Sequence, residues 1–488
     1  MSVTWARVRV VLAITIAAST VSGGLINLVA ASAAPLPDLA SVEQVIGTQQ
    51  AWQAGATGQG VDVALLDTGV TPVQGLNGDN KLIFGPDLSF DSQNSSTAYV
   101  DNFGHGTAMA GIIAGNDGTA GGFQGVAPGS RIVSVKVGAH DGAVDVSQII
   151  AGIDWVVQHA HDPGVNIRVL NLSLGTSSTQ AYTSDPLTHA AENAWKHGIA
   201  VVVAAGNDGT ATNVVADPAT DPYLIAVGAE DPVGTVSSTD DVVPSYSSRG
   251  TGNRHADVVA PGSYIMSLLS PGSYLAQQYP NAVFNNRFFR GSGTSQAAAV
   301  ASGVVADLLS AHPSWTPDQV KAALMQTATR ISTNNPNFVG SGLVNLPGAL
   351  AANPGPSVQT WPAATGTGSL EQARGNTHIA YNGTTLTGEV DVFGATWNSA
   401  AMAQAEENGT AWNAGTYNGN TWAGTGWSSV TWSSVTWSSV TWSSVTWSSV
   451  TWSSVTWSSV TWSSVTWSSV TWSSVTWSST TWSAAAWA

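Results

Sequence analysis

Arg290 to Gly303 reads RGSGTSQAAAVASG and sets one hydroxyl, Ser295, at a glycine-rich turn that opens onto an unusually apolar helix. Gln296 to Leu309 carries alanine, valine and leucine on nearly every side and a single charge, Asp307, so this helix is expected to be buried all round. A buried helix that starts at such a turn aims its free N–H groups, and the positive end of its dipole, at whatever reacts beside Ser295. That suits a nucleophile whose product is an oxyanion. Taken alone, the same residues read more simply as a helix cap.

Outward from this stretch, between about Gly60 and Ala352, short apolar runs alternate with helical segments. The strand candidates are Val61 to Leu66, Ile132 to Val137, Arg168 to Leu174, Ile199 to Ala205 and Tyr223 to Val227. The helices between them are one after His105, then Val146 to Ala160, Pro186 to His197, Ser295 to Ala311 and Thr316 to Thr329. The last has Thr316 as N-cap and Pro317 at its first position. Near-continuous apolar strands alternating with helices predict an α/β domain with a mainly parallel sheet covered on both faces. Ligand sites in such sheets gather at the carboxyl ends of the strands.

Composition narrows the function. The chain has 488 residues, a net charge of −16 and 9% charged residues, which excludes a nucleic-acid partner on electrostatic grounds. It has no cysteine, so disulfides, thiolate zinc sites and thiol nucleophiles are excluded as well. Arg7 and Arg9 precede an apolar run from Val10 to about Ala18, and small residues lead to Ala33-Ala34 before Pro35. This is the pattern of a secretory signal over 1–34, and it predicts a secreted or cell-surface protein; a retained anchor is the alternative.

Two further motifs bear on Ser295. Asp67 ends the first apolar run, in VDVALLDTGV, where rigid backbone can hold a carboxylate to orient an imidazole. Asp-Thr-Gly could also be a plain turn or half of an aspartic dyad, but the chain has no second Asp-Thr-Gly or Asp-Ser-Gly. His105 lies in NFGHGTAMAGIIAG, between two glycines at the head of another apolar helix. Alone it would be a capping or core histidine. His159 and His161, two apart, read as a solvated helix end rather than as metal ligands.

The order Asp67, His105, Ser295 with these flanks is specific. LLDTGV, GHGTAMAG and GTSQAAA resemble the three catalytic blocks of the subtilisin-like serine proteases (peptidase family S8), and GVAPGSRIVSVKV, LNLSLG, VVVAAGND and DVVAPGSYI resemble family core segments in the same order. The likeness spans roughly Gln49 to Ala352. It implies a three-layer subtilisin-like fold in which Ser295 attacks the scissile carbonyl, His105 carries the proton and Asp67 holds the imidazole. Asn207, in AAGND, matches the oxyanion-hole asparagine. A protein or peptide substrate would lie extended between Gly142, Ala143 and Val144 on one side and Ser173, Leu174 and Gly175 on the other. Ala204, Ala205 and Gly206 would wall the first specificity pocket, small walls that admit a large apolar side chain. No cofactor is required for the chemistry and no metal is assigned; calcium commonly stabilises this fold, and Asn116 to Gly122 could line a loop site. Gln296 to Val300 departs from the usual Met-Ala-Ser/Thr-Pro-His. Only about 30 residues separate Ala34 from Asp67, too few for the fold-assisting prodomain common in secreted relatives.

The peptidase domain is therefore expected over 35–352. Residues 353–369, NPGPSVQTWPAATGTGS, read as a Pro/Gly linker that ends it, and 370–426 as a small β-rich or irregular segment with a hairpin over Thr377 to Phe393 around Asn382-Gly383. From Trp427 the low-complexity tail, 427–488, repeats Trp-Ser-Ser-Val-Thr. A five-residue step fits neither a helix stripe nor one face of a strand. Three readings stay open: a square β-helix with five residues per side, an exposed aromatic array that contacts glycan, cell wall, membrane surface or itself, and repeat expansion without function. The whole chain then reads as an exported serine endopeptidase, or alternatively as a catalytically idle surface-binding or assembly protein whose tail is the functional part.

Overall fold

The computed structural model describes residues 39–421, except 94–95, 212, 253, 334, 377 and 382–383, together with short strands inside the repeats between 432 and 482. The secretory-signal segment lies outside the described residues. Seven parallel strands form the central sheet: β1 Asp62–Asp67, β2 Leu82–Asp87, β3 Arg131–Lys136, β4 Ile167–Leu172, β5 Ala200–Ala204, β6 Ile225–Glu230 and β7 Val258–Pro261. Their spatial order is β2-β3-β1-β4-β5-β6-β7. β1 is an interior strand, with Leu65 opposite Ser134 on one neighbour and Asn171 on the other. Every position of β1, β5 and β6 is buried, as strands covered on both faces require.

Two pairs of helices supply that cover and give the three layers expected. One pair is His105–Ala114 with Thr294–Ala311; the other is Val146–His159 with Pro186–Lys196. The Ser295 helix is buried at every position from Thr294 to Leu309. It crosses close to the neighbouring chain at Gly303, where a methyl group would stand 2.5 Å from Val126. Thr316 caps the next helix, Pro317–Thr327, and a reciprocal bond from Gln319 completes a capping box.

The pattern reading missed β2 and β7. β2, LIFGPD, and β7, VVAP, each contain a proline and lie at the two edges of the sheet, where a missing N–H breaks no ladder bond. It also missed a small antiparallel sheet of Ile265–Leu268, Val283–Phe284 and Phe288–Gly291, which packs on the His105 helix.

The largest departure from expectation is at 353–421. The Pro/Gly-rich stretch is bonded along the domain rather than leading away from it: Ala364 N–H donates to Glu192 Oε2 at 2.7 Å and Thr365 N–H to the Thr183 carbonyl at 2.8 Å. Proline and glycine preclude regular structure there, but they do not preclude docking. A short helix, Leu370–Arg374, follows, then the tight pairing of Ala380–Tyr381 with Thr384–Thr385 inside the expected hairpin range. Beyond them come a helix, Ser399–Glu407, and a three-stranded meander ending at Asn420–Thr421. Leu370, Trp397, Trp412 and Tyr417 belong to the same apolar core as the central sheet. Trp412 Nε1 donates to the Ala151 carbonyl and Tyr417 Oη to Asp154, both at 2.7 Å, so the extension is fastened to helix Val146–His159.

Within the repeats, three-residue Thr-Trp-Ser strands each pair in parallel with the strand 20 residues ahead, for example Trp437 with Trp457 and Trp442 with Trp462. These strands fall into four separate ladders. Among the described residues no helix is long and apolar enough to cross a membrane.

Candidate active site

The site collects at the carboxyl ends of adjacent strands. Asp67 is the last residue of β1, Ser173 follows the end of β4, and Ala204 ends β5. His105 opens its helix, and its Nδ1 lies 2.8 and 2.9 Å from the two oxygens of Asp67. Both side chains are buried. The flanking glycines have separate causes. Gly104 has φ of 106°, and a methyl on Gly106 would stand 2.1 Å from the Gly69 carbonyl, so the helix can approach the turn after β1 only with glycine there.

Thr68 and Asp101, which nothing in the local sequence marks, fix the Asp67–His105 pair. Thr68 N–H donates to Asp67 Oδ1 at 2.8 Å. The Thr68 hydroxyl donates to Asp101 at 2.8 Å and accepts Gly106 N–H at 3.0 Å. Asp101 takes the N–H groups of Gly104 and Thr107 at 2.6 and 2.7 Å, which caps the His105 helix. Burial pushes the Asp101 carboxyl up. Burial also pulls the His105 imidazole down, but the charge and hydrogen bond of Asp67, with Asp101 adding to them, outweigh it and hold the imidazole above its ordinary pKa.

Ser295 is the second residue of its helix, so its N–H is among those with no intrahelical acceptor. Its hydroxyl donates to the Ser173 carbonyl at 3.0 Å rather than to His105. Asn207, just past β5, accepts Thr294 N–H at 2.9 Å and the Thr294 hydroxyl at 3.1 Å through Oδ1, and among the described residues its Nδ2 has no acceptor. Thr294 is thus the group that orients Asn207, and its hydroxyl also receives Gly206 N–H at 3.1 Å.

The expected substrate edges differ in exposure from residue to residue. Ala143 and Val144 are partly exposed, and Gly142, at φ of 83°, packs against the Phe103 ring. Ser173 is buried, whereas Leu174 and Gly175 reach solvent. Among the described residues the backbone N–H and C=O groups of Val144, Leu174 and Gly175 have no intrachain partner, as an edge that takes up a strand requires. Ala204 and Ala205 are buried and Gly206 is partly exposed at their mouth.

The loop Asn116 to Gly122 does not fit a calcium ion. Asp117 Oδ1 is paired with Arg287, Asp117 Oδ2 accepts Phe123 N–H at 2.9 Å and Asn116 Oδ1 accepts Gly118 N–H at 2.8 Å, so its anionic oxygens are already engaged. Among the described residues no group of three or more His, Asp or Glu side chains is arranged to hold a metal.

A parallel α/β sheet with an Asp–His pair and a serine at the head of a buried helix is the architecture of one class of serine peptidase. The chain belongs to the subtilase family, whose members are serine-type endopeptidases: residues 58–342 match the family's model. It is similar to serine protease AprX of Bacillus subtilis, 38% identical over 296 residues that take in 59% of this chain and 66% of that one. It is also similar to the subtilisin of Bacillus pumilus, 35% identical over 60% of this chain and 92% of the relative. Among solved structures it resembles fervidolysin from Fervidobacterium pennivorans, a keratinolytic enzyme related to subtilisin. The TM-score is 0.52 and the identity 29%, over 65% of this chain and 46% of that one.

Proposed function

We propose that this chain is an exported serine endopeptidase acting through Asp67, His105 and Ser295. The observation that carries the reading is the buried Asp67–His105 pair, set at the same edge of the sheet as a serine whose own N–H has no intrahelical acceptor. Ser295 Oγ turns from the Ser173 carbonyl, gives its proton to His105 Nε2 and forms a bond to the scissile carbonyl carbon. The oxyanion is held by Asn207 Nδ2 and the Ser295 N–H. His105 returns the proton to the leaving amine as the C–N bond breaks, and water, deprotonated in the same way, hydrolyses the acyl-enzyme. Asp67 fixes the tautomer with its bond to Nδ1. The substrate is a polypeptide strand paired on Val144 and on Leu174-Gly175, with a large apolar side chain against Ala204 to Gly206.

Export rests on the basic and apolar pattern of 1–34, and retention at a cell wall, glycan or membrane surface on the uncharged tryptophan repeats. Fluorophosphonate labelling tests the chemistry. The intact protein should label, and Ser295→Ala and His105→Ala should not; an intact protein that stays unlabelled leaves the idle-binding reading in its place. Surface retention is tested by comparing full-length protein with a form ending at 421, and equal retention removes that role from the tail.

A further inference from the structure

The two substrate edges are fastened to one five-residue helix that lies outside the family match. Residue 145 follows the first edge directly. Asp145 is buried, caps helix Val146–His159 through Ser147 N–H at 2.9 Å, and its own N–H donates to Gln148 Oε1 at 2.7 Å. Arg374, from helix Leu370–Arg374, closes on it from the other side. Its Nε donates to Asp145 Oδ1 at 2.7 Å, and its remaining donors are taken by Asp145 Oδ2, by Glu371 and by the carbonyls of Gly388 and Val390. The guanidinium is buried and every nitrogen is used, so it holds one position only.

Residue 176 follows the second edge directly. The Thr176 hydroxyl donates to the Ala373 carbonyl at 2.6 Å, one residue before Arg374, while its backbone pairs with Asp217 at 2.8 and 2.9 Å. Gly375, with φ of 66°, lies so close to Ser177 that a methyl there would stand 2.6 Å from the Ser177 carbonyl carbon. The same turn of helix therefore grips the root of both edges. A strand laid between two edges needs about 4.8 Å on each side, so the edges must stand roughly 10 Å apart for both ladders to form.

We propose that Arg374 is a positioning residue for substrate binding: helix Leu370–Arg374 spans the roots of Gly142–Val144 and Ser173–Gly175 and sets the width of the cleft between them. This rests on the peptidase reading for the identity of the cleft. The brace acts on occupants long enough to pair with both edges and leaves the reacting groups alone. A peptide confined to the first pocket does not feel it.

The test measures binding rather than turnover, in full-length Ser295→Ala protein, so that it does not depend on catalysis. Acetylated alanine-rich peptides of two and five residues, each ending in phenylalanine amide, are titrated by calorimetry. In Arg374→Met and in the milder Thr176→Val, the five-residue peptide should bind about tenfold more weakly while the two-residue peptide is unchanged, and Arg374→Lys should restore part of the difference. Fluorophosphonate labelling of the same variants with Ser295 intact should keep its rate. Undiminished binding of the long peptide to both variants overturns the brace. Equal losses for both peptides together with a lowered melting temperature also overturn it, because the helix would then hold only the fold. Long-peptide binding that depends on Arg374 in a protein whose Ser295 never labels would sink the catalytic reading and leave the brace standing.

Discussion

Ser173 and Ser295 exchange hydrogen bonds. The Ser295 hydroxyl donates to the Ser173 carbonyl, and the Ser173 hydroxyl donates to the Ser295 carbonyl, each at 3.0 Å. The Ser173 hydroxyl also accepts from Asn171, whose other amide atom accepts from Ser302, about two helical turns beyond Ser295, both at 2.9 Å. A polar seam thus ties the proposed nucleophile's helix to the strand beneath it.

Ser173→Ala cuts that seam and keeps the carbonyl on which the Ser295 hydroxyl rests. It leaves Asn171 Nδ2 a buried donor without its acceptor, so stability should fall by about 1–3 kcal/mol. Denaturant midpoints measure that loss, and fluorophosphonate labelling at a temperature where the variant is folded should slow by less than about tenfold.

Asn207→Ala should lower kcat by about 10²–10³ with little change in KM, a magnitude carried over from the oxyanion-hole asparagine of subtilisin rather than derived for this chain. Thr294→Val removes the hydroxyl that steers Asn207 and keeps the amide, so steady-state kinetics should place it between Asn207→Ala and the intact protein. A Thr294→Val variant with unchanged kcat would show that the backbone bond from residue 294 suffices.

The base form of His105 accepts the serine proton, so kcat/KM should rise with pH through the His105 pKa. That limb should lie above the ordinary histidine value of about 6.5, since Asp67 more than offsets burial. In Asp67→Asn the raising charge is gone and burial still pulls the imidazole down, so the limb should move to lower pH while the rate falls roughly 10⁴-fold, the amide holding the wrong tautomer. A pH profile of each protein decides this.

Glu230 and Asp241 are both buried, and among the described residues no other group donates a hydrogen bond to their carboxyl oxygens. Burial, then the hydrogen bond and charge of Asp241, raises Glu230; burial raises Asp241, with the Asp240 and Asp231 charges adding to it and the hydrogen bond from Glu230 opposing it. A raised acid is most stabilising while protonated in both states, below the ordinary carboxylate value near 4, and the contribution is lost as pH climbs through the raised folded value. Stability should therefore decline toward alkaline pH, and Glu230→Gln should flatten the decline in melting temperature against pH.

A chain ending at 352 should be far less stable than one ending at 421. It strips Arg374 from a buried Asp145, which alone costs roughly 3–5 kcal/mol, and it uncovers the core beneath Leu370, Trp412 and Tyr417. The form ending at 421 should melt with the full-length protein; calorimetry of the two compares them directly.

The central sheet and its helices were open to reading because each element carried its own periodicity, and Asp67, His105 and Ser295 because each sat at a strand end or helix start. What escaped was whatever depends on a distant partner. β2 and β7 look broken by Pro86 and Pro261 until their place at the sheet edges is known. Asp101, Thr68 and Thr294 are ordinary polar residues locally, and their roles arise from bonds to a cap, a turn and an amide brought close by the fold. Residues 353–369 have linker composition, and nothing local marks Ala364 as bonded to Glu192. Arg374 shows the limit most clearly, since its partner Asp145 is 229 positions away.

Arg374 is also the last basic residue of the chain: from Gly375 to Ala488 there is neither lysine nor arginine. Its side chain is buried behind Asp145. From Arg374 onward a trypsin-like enzyme would therefore find no bond at which to trim the repeats, since the bond after Arg374 is sheltered and every later bond lacks the side chain it needs. The repeats are thus out of reach of basic-specific proteolysis within their own length and within the extension that carries them.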